Sequence, residues 1–116
     1  MDADISTLSV GDFVAVNCEN SREPAIGCCK EIFEEDIDIV WMEGEYTSAW
    51  KTWKIRDPKN RRKIIEWRDN IPKLSVILFG FTLTTTNHLR KRTIERLKEQ
   101  YDKLRRSQQS SSNEAV

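Results

Sequence analysis

Between Asp36 and Met42 the chain alternates strictly, with Ile37, Ile39 and Trp41 on one side of an extended backbone and Asp36, Asp38 and Val40 on the other. A period of two marks a strand with one buried face. The same period governs "VGDFVAVNCE", where a Gly-Asp turn signal precedes Val14 and Val16 alternating with Ala15 and Asn17. "NSREP" carries turn residues and a proline, and reads as a hairpin or a longer loop. "AIGCCKEIFEE" resumes as a strand in which Gly27 permits a bend or bulge. Past a turn around Gly44, "WKTWKI" is a further strand, with Trp50 and Thr52 opposing Lys51 and Trp53. Trp50 and Trp53 are three apart, so in an uninterrupted strand they face opposite sides and one lies outside the core unless the barrel curls around both.

The pattern then breaks. "RDPKNRRK", Arg56 to Lys63, is basic, includes Pro58 and lacks apolar periodicity, which predicts an exposed loop. One more strand is expected at Ser75 to Phe79, preceded by Pro72, with Gly80 bending its exit. Further on, Ile94, Leu97, Tyr101 and Leu104 recur at helical spacing, with Leu89 near the same face and Asn87 or a preceding threonine as a cap. That face is too short for a coiled coil and is expected to dock on the strands. The expected fold is mainly β with a C-terminal α-helix: a small antiparallel SH3-like barrel of four or five strands, the helix covering one opening. Residues 10–106 form this domain, between an N-terminal arm of residues 1–9 and a disordered polar tail of residues 107–116.

Charge adds a second picture. Net charge is zero, yet residues 1–48 carry twelve acidic and two basic residues while residues 49–116 carry seventeen basic and seven acidic. The halves therefore stand at −10 and +10, which implies either two faces with different partners or mutual neutralisation across the surface. Cys18, Cys28 and Cys29 are expected as reduced thiols, and with the single His88 they offer no zinc-ligand spacing. No cofactor is expected. The start of the chain has neither a basic n-region nor an apolar h-region, and no apolar run spans a bilayer, so an intracellular chain away from membranes is expected, nuclear rather than cytoplasmic.

"VGDFVAV", the acidic, proline-containing loop after it, "PAIGCCKEI" and "DIDIVWMEG" together resemble the opening strands of Tudor-like domains of the chromatin-reader SH3-like barrels, over Val10 to Trp53. The resemblance implies that a methylated lysine or arginine of a histone-like tail binds in an aromatic cage. Trp41, Tyr46, Trp50 and Trp53 would supply the rings and Glu43 or Glu45 the carboxylate. A poorly hydrated methylated cation gains about 0.5 to 2 kcal/mol from each good ring contact. The chain departs from that pattern in "NCENSREP", which has no aromatic where the family's first loop commonly contributes one. The plainer reading of Trp41, on the face of Ile37 and Ile39, is core.

Catalysis finds no support: His88 has no local nucleophile signature, and no phosphate-loop, dinucleotide, nucleophile-elbow or zinc-protease motif occurs. The sequence thus predicts a noncatalytic, monomeric module that binds a basic or methylated protein tail. One alternative is DNA or RNA binding through Lys51, Lys54, Arg56, Lys59, Arg61, Arg62 and Lys63, beside Trp50, Trp53 and Trp67. The other is a subunit whose sheet and helix only build a complex.

Overall fold

The computed structural model describes residues 4–17 and 23–114, with side chains placed through Arg106. Cys18 and most of the turn expected at residues 20–24 lie outside the described residues. Eight strands are present among them: β1 (Phe13–Val16), β2 (Ala25–Ile32), β3 (Asp36–Glu43), β4 (Lys51–Thr52), β5 (Lys54–Asp57), β6 (Asn60–Glu66), β7 (Arg68–Pro72) and β8 (Val76–Phe81). One helix follows, α1 (Lys91–Glu114), and short 3-10 turns occupy Ile5–Thr7 and Lys73–Ser75.

All strand pairs are antiparallel. The main sheet runs β4-β3-β2-β1-β8, and β7 shares the outer edge of β3 with β4. β7 pairs with Asp36 to Val40, and β4 with Met42 and Glu43. Because β7 and β8 stand at opposite ends of the sheet yet are joined only by the turn Lys73–Ser75, the sheet must curl strongly. It does not close: no ladder joins β7 to β8 among the described residues. The mainly-β, helix-ended architecture is as the sequence implies, while the closed barrel of four or five strands is corrected to an open, curled sheet with a separate two-stranded ribbon, β5-β6.

Two apolar clusters lie on the two faces. Val14 and Val16 of β1 join Leu8, Cys29, Ile37, Ile39 and Ile71 inside the curl. Ala15, between those valines, points the other way and joins Ile26, Trp50, Leu78, Leu89, Leu97 and Tyr101 under α1. Each fully buried Ile or Leu contributes about 1.5 to 3 kcal/mol. The expected helical face is the docked one, with Leu97 and Tyr101 buried and Ile94 and Leu104 half-buried beside them. The helix covers a sheet face rather than a barrel mouth, because the second face of a curled sheet is too apolar to be left in water. Tyr101 fixes its height: the phenol donates to the Val16 carbonyl at 2.7 Å and accepts from the Ala25 N–H at 3.1 Å, the last cross-strand pair of β1 and β2.

Two glycines differ in their use. Gly80 sits at φ +76° as an extra residue between Phe79 and Phe81, whose partners Val14 and Phe13 are adjacent, so the bend expected there is a β-bulge. Gly27 is regular strand, paired with Val14 and Trp41, and not a bend; a Cβ there would lie 2.7 Å from Ile39 Cδ1. Its role is to let Ile39 lean across β2. Asn87 does not cap α1. It adopts φ +64° in a turn closed by its N–H donating to Thr84, while Arg90 stands at the helix start, its carbonyl accepting from Ile94 N–H.

Candidate functional site

The basic segment expected as a loop is the ribbon. Pro58 follows Asp57 in the turn, and the Lys59 N–H donates to Asp57 Oδ1 at 2.9 Å, a local geometry that Asp-Pro favours. From there Arg56 pairs with Ile64, Ile55 with Ile65 and Lys54 with Glu66. The missed sequence signal is a mirror about the turn, Trp53-Lys54-Ile55 against Ile65-Glu66-Trp67. Windowed periodicity hides it because Arg61, Arg62 and Lys63 interrupt the alternation where the register shifts.

At the root of the ribbon three tryptophans close a ring of backbone hydrogen bonds. The Trp41 N–H donates to the Trp67 carbonyl, the Trp67 N–H to the Trp53 carbonyl, and the Trp53 N–H to the Trp41 carbonyl, each at 2.9 Å. Three ladders radiate from this ring: β3 with β7 beginning at Val40 and Arg68, β3 with β4 beginning at Met42 and Thr52, and β5 with β6 beginning at Lys54 and Glu66. Every strand that splits would otherwise leave unpaired amides at the fork. The rings fill the same junction. Trp53 meets Trp67 edge-on at 4.9 Å between centroids, Trp41 lies 6.0 Å from Trp67, and the Trp41 indole donates to Asp69 Oδ2 at 3.0 Å. Such aromatic pairs add about 0.5 to 1.5 kcal/mol each beyond burial.

The rings named for a cage separate into two places. Trp41 and Trp53 stand at the junction, with Trp41 packed against the cluster inside the curl. Trp50 is buried under α1, and Gly44 presses on its ring so closely that a Cβ would lie 2.5 Å away. Tyr46 is half-buried against the same cluster, its N–H donating to a Glu23 carboxylate oxygen at 3.2 Å. The ammonium of the chain's own Lys98 lies 5.2 Å from its ring centroid. Burial, then the Glu23 carboxylate, pushes the Tyr46 phenol above its ordinary pKa. Glu43 is paired with Lys51 at 3.2 Å, and Glu45 is exposed in the turn. Glu43, Glu45, Lys51 and Trp53 line a shallow, open depression that Tyr46 and Trp50 do not border.

Lys54, Arg56, Lys59, Arg61, Arg62 and Lys63 are all exposed on the ribbon. Among the described residues no carboxylate pairs with any of them, whereas Lys51, Lys103 and Arg105 are paired elsewhere. No group of three or more His, Cys, Asp or Glu side chains with metal-binding placement occurs among the described residues. Cys29 is buried, and that burial raises its thiol pKa. Among the described residues no helix is long and apolar enough to cross a membrane.

A curled antiparallel sheet with one docked helix and a separate two-stranded ribbon defines a small sheet-and-helix module. The chain belongs to the NIPBL cohesin loader C-terminal domain family, which it matches over residues 8–105. It is 31% identical over 96 residues to Nipped-B-like protein A of Danio rerio, covering 82% of this chain and 4% of that protein. It is 27% identical over 96 residues to the Nipped-B-like proteins of Mus musculus and Homo sapiens, covering 82% of this chain and 3% of each. The chain thus corresponds to a small part of those relatives' length. No solved structure matches it.

Membership corrects the Tudor-like resemblance and, with it, the reading as a methyl-lysine reader of histone-like tails. The reason is physical: "VGDFVAV", "PAIGCCKEI" and "DIDIVWMEG" carry only a period of two and turn residues, which any small antiparallel sheet requires.

Proposed function

We propose that this chain is a noncatalytic building module of a cohesin-loading assembly, acting in the nucleus at chromatin by holding protein contacts. The observation that carries this reading is the family match across residues 8–105, which takes in both apolar clusters, the tryptophan junction and the ribbon. A module of this kind requires a rigid frame with chemically distinct surfaces, and the sheet and helix supply one. Within it, residues 10–106 are the working unit, with residues 1–9 and 107–116 as an arm and a tail.

The test is cellular. Replacing the protein with a form lacking residues 8–105, expressed at the same level, should lower the amount of cohesin on chromatin after fractionation. Purified cohesin should also retain the intact chain in a direct binding assay. Undiminished chromatin-bound cohesin, together with no direct retention, would overturn the assignment.

A further inference from the structure

We infer that the β5-β6 ribbon binds duplex DNA, with Lys54, Arg56, Lys59, Arg61, Arg62 and Lys63 on the phosphates. Six exposed cations, none in an ion pair among the described residues, are concentrated on a ribbon that lies outside the main sheet. The register puts Lys54 and Arg56 on one face with Glu66 and Ile64, the latter 62% exposed. Alternation along β6 adds Arg62 to that face and sends Arg61 and Lys63 to the other, beside the half-buried Ile55 and Ile65. The cations thus flank the ribbon on both faces and outnumber its two carboxylates, Asp57 and Glu66. Two strands about 4.8 Å apart, with their side chains, fit the roughly 12 Å width of the B-form major groove. Seven residues of β6 extend about 23 Å, enough to follow several phosphates.

Three features favour this occupant over others. The ribbon's edges are lined with lysine and arginine, which repel a second copy of the same ribbon. The tryptophan ring holds the root in one geometry, so little ordering is left to oppose binding. Single strands and RNA fit less well: Trp53 and Trp67 are packed edge-on against each other instead of offering a row of free stacking faces, and the major groove of A-form RNA is too narrow for a ribbon.

The experiment measures anisotropy of a labelled 20-base-pair duplex with the full chain between 50 and 200 mM salt. The logarithm of affinity should fall linearly with that of salt, by about 0.9 per phosphate contact. The triple variant Arg61→Gln, Arg62→Gln, Lys63→Gln should flatten the slope by about 0.9 for each phosphate it no longer neutralises. The double variant Lys54→Gln, Arg56→Gln should do likewise, and Arg92→Gln with Arg96→Gln on α1 should leave it unchanged. Tryptophan fluorescence and the unfolding midpoint establish that each variant is folded. No binding at 50 mM salt would overturn the inference, as would an unaltered slope in both folded ribbon variants. So would equal competition by polyglutamate at matched charge, which would indicate an acidic protein partner. The proposal does not rest on the cohesin-loading reading. Duplex binding that persists while chromatin-bound cohesin is indifferent to the module would overturn only that reading.

Discussion

Trp50 and the Trp41-Trp53-Trp67 junction use the same residue type for opposite ends. Trp50 is 3% exposed, wedged between α1 and the Gly44 turn, and its indole Nε1 has no hydrogen-bond partner among the described residues. An unsatisfied buried donor costs about 1 to 3 kcal/mol. Burying a large ring offsets that cost, so Trp50 acts through area. At the junction Trp53 is 38% exposed and much of its ring surface remains in water. Its contribution is geometric: its backbone amide and carbonyl complete the three-way fork, and its ring packs edge-on against Trp67 at the root of the ribbon. Tryptophan therefore confers rigidity on this domain in two ways, by volume under the helix and by position at the fork.

The largest effect separates the two regions directly. Trp50→Ala should cost about 3 to 5 kcal/mol, as large aromatic truncations in a core do. Trp53→Ala should cost about 0.5 to 1.5 kcal/mol, the scale of the lost ring pair. Denaturant unfolding of both variants checks the difference. Equal losses would mean that the junction is core in the same sense as Trp50. The Trp53 variant should nonetheless exchange the amide hydrogens of β5 and β6 faster while those of β1 to β3 stay protected.

A smaller effect bears on how α1 is held over Trp50. Tyr101→Phe keeps the ring but removes the hydroxyl that serves both the Val16 carbonyl and the Ala25 N–H. The expected loss is about 1 to 3 kcal/mol, the cost of leaving buried polar groups unsatisfied. An unchanged thermal and denaturant midpoint would show that apolar packing alone sets the helix.

The smallest effect concerns Tyr46, at the rim of the Trp50 region. Its folded pKa lies above the ordinary value of 10.0, chiefly through burial and then through Glu23. The neutral phenol is therefore favoured in the folded state. The resulting stability is fully present below the unfolded pKa and is lost as pH rises through the folded one. Absorbance titration of the phenolate, with Tyr46→Phe as the difference, should place its ionisation later than that of free tyrosine. Ionisation at or below the free value would mean that the ring is solvated.

Much of this architecture is legible in the chain itself. The alternation at Ile37, Ile39 and Trp41 and the helical face of Leu97 and Tyr101 depend on neighbours within a few residues, and those local periods survive folding. The spacing of Trp50 and Trp53 anticipates opposite sides only along one continuous strand. The chain instead breaks at Trp53 between β4 and β5, and the two burials are decided by α1 over Trp50 and by the fork at Trp53. The Arg56 to Lys63 segment is legible as exposed and basic but not as a ribbon, because its pairing depends on a mirror relation across the turn and on a register shift. The meeting of Trp41, Trp53 and Trp67, separated by twelve and fourteen positions, cannot be read locally. Short-range pattern in the amino acids thus set the strands' inner faces, the helix and the charge of the ribbon. That the sheet stays open, that the cage rings part company and that three ladders meet at one ring of hydrogen bonds were settled only by folding in three dimensions, since each depends on pairing between distant segments.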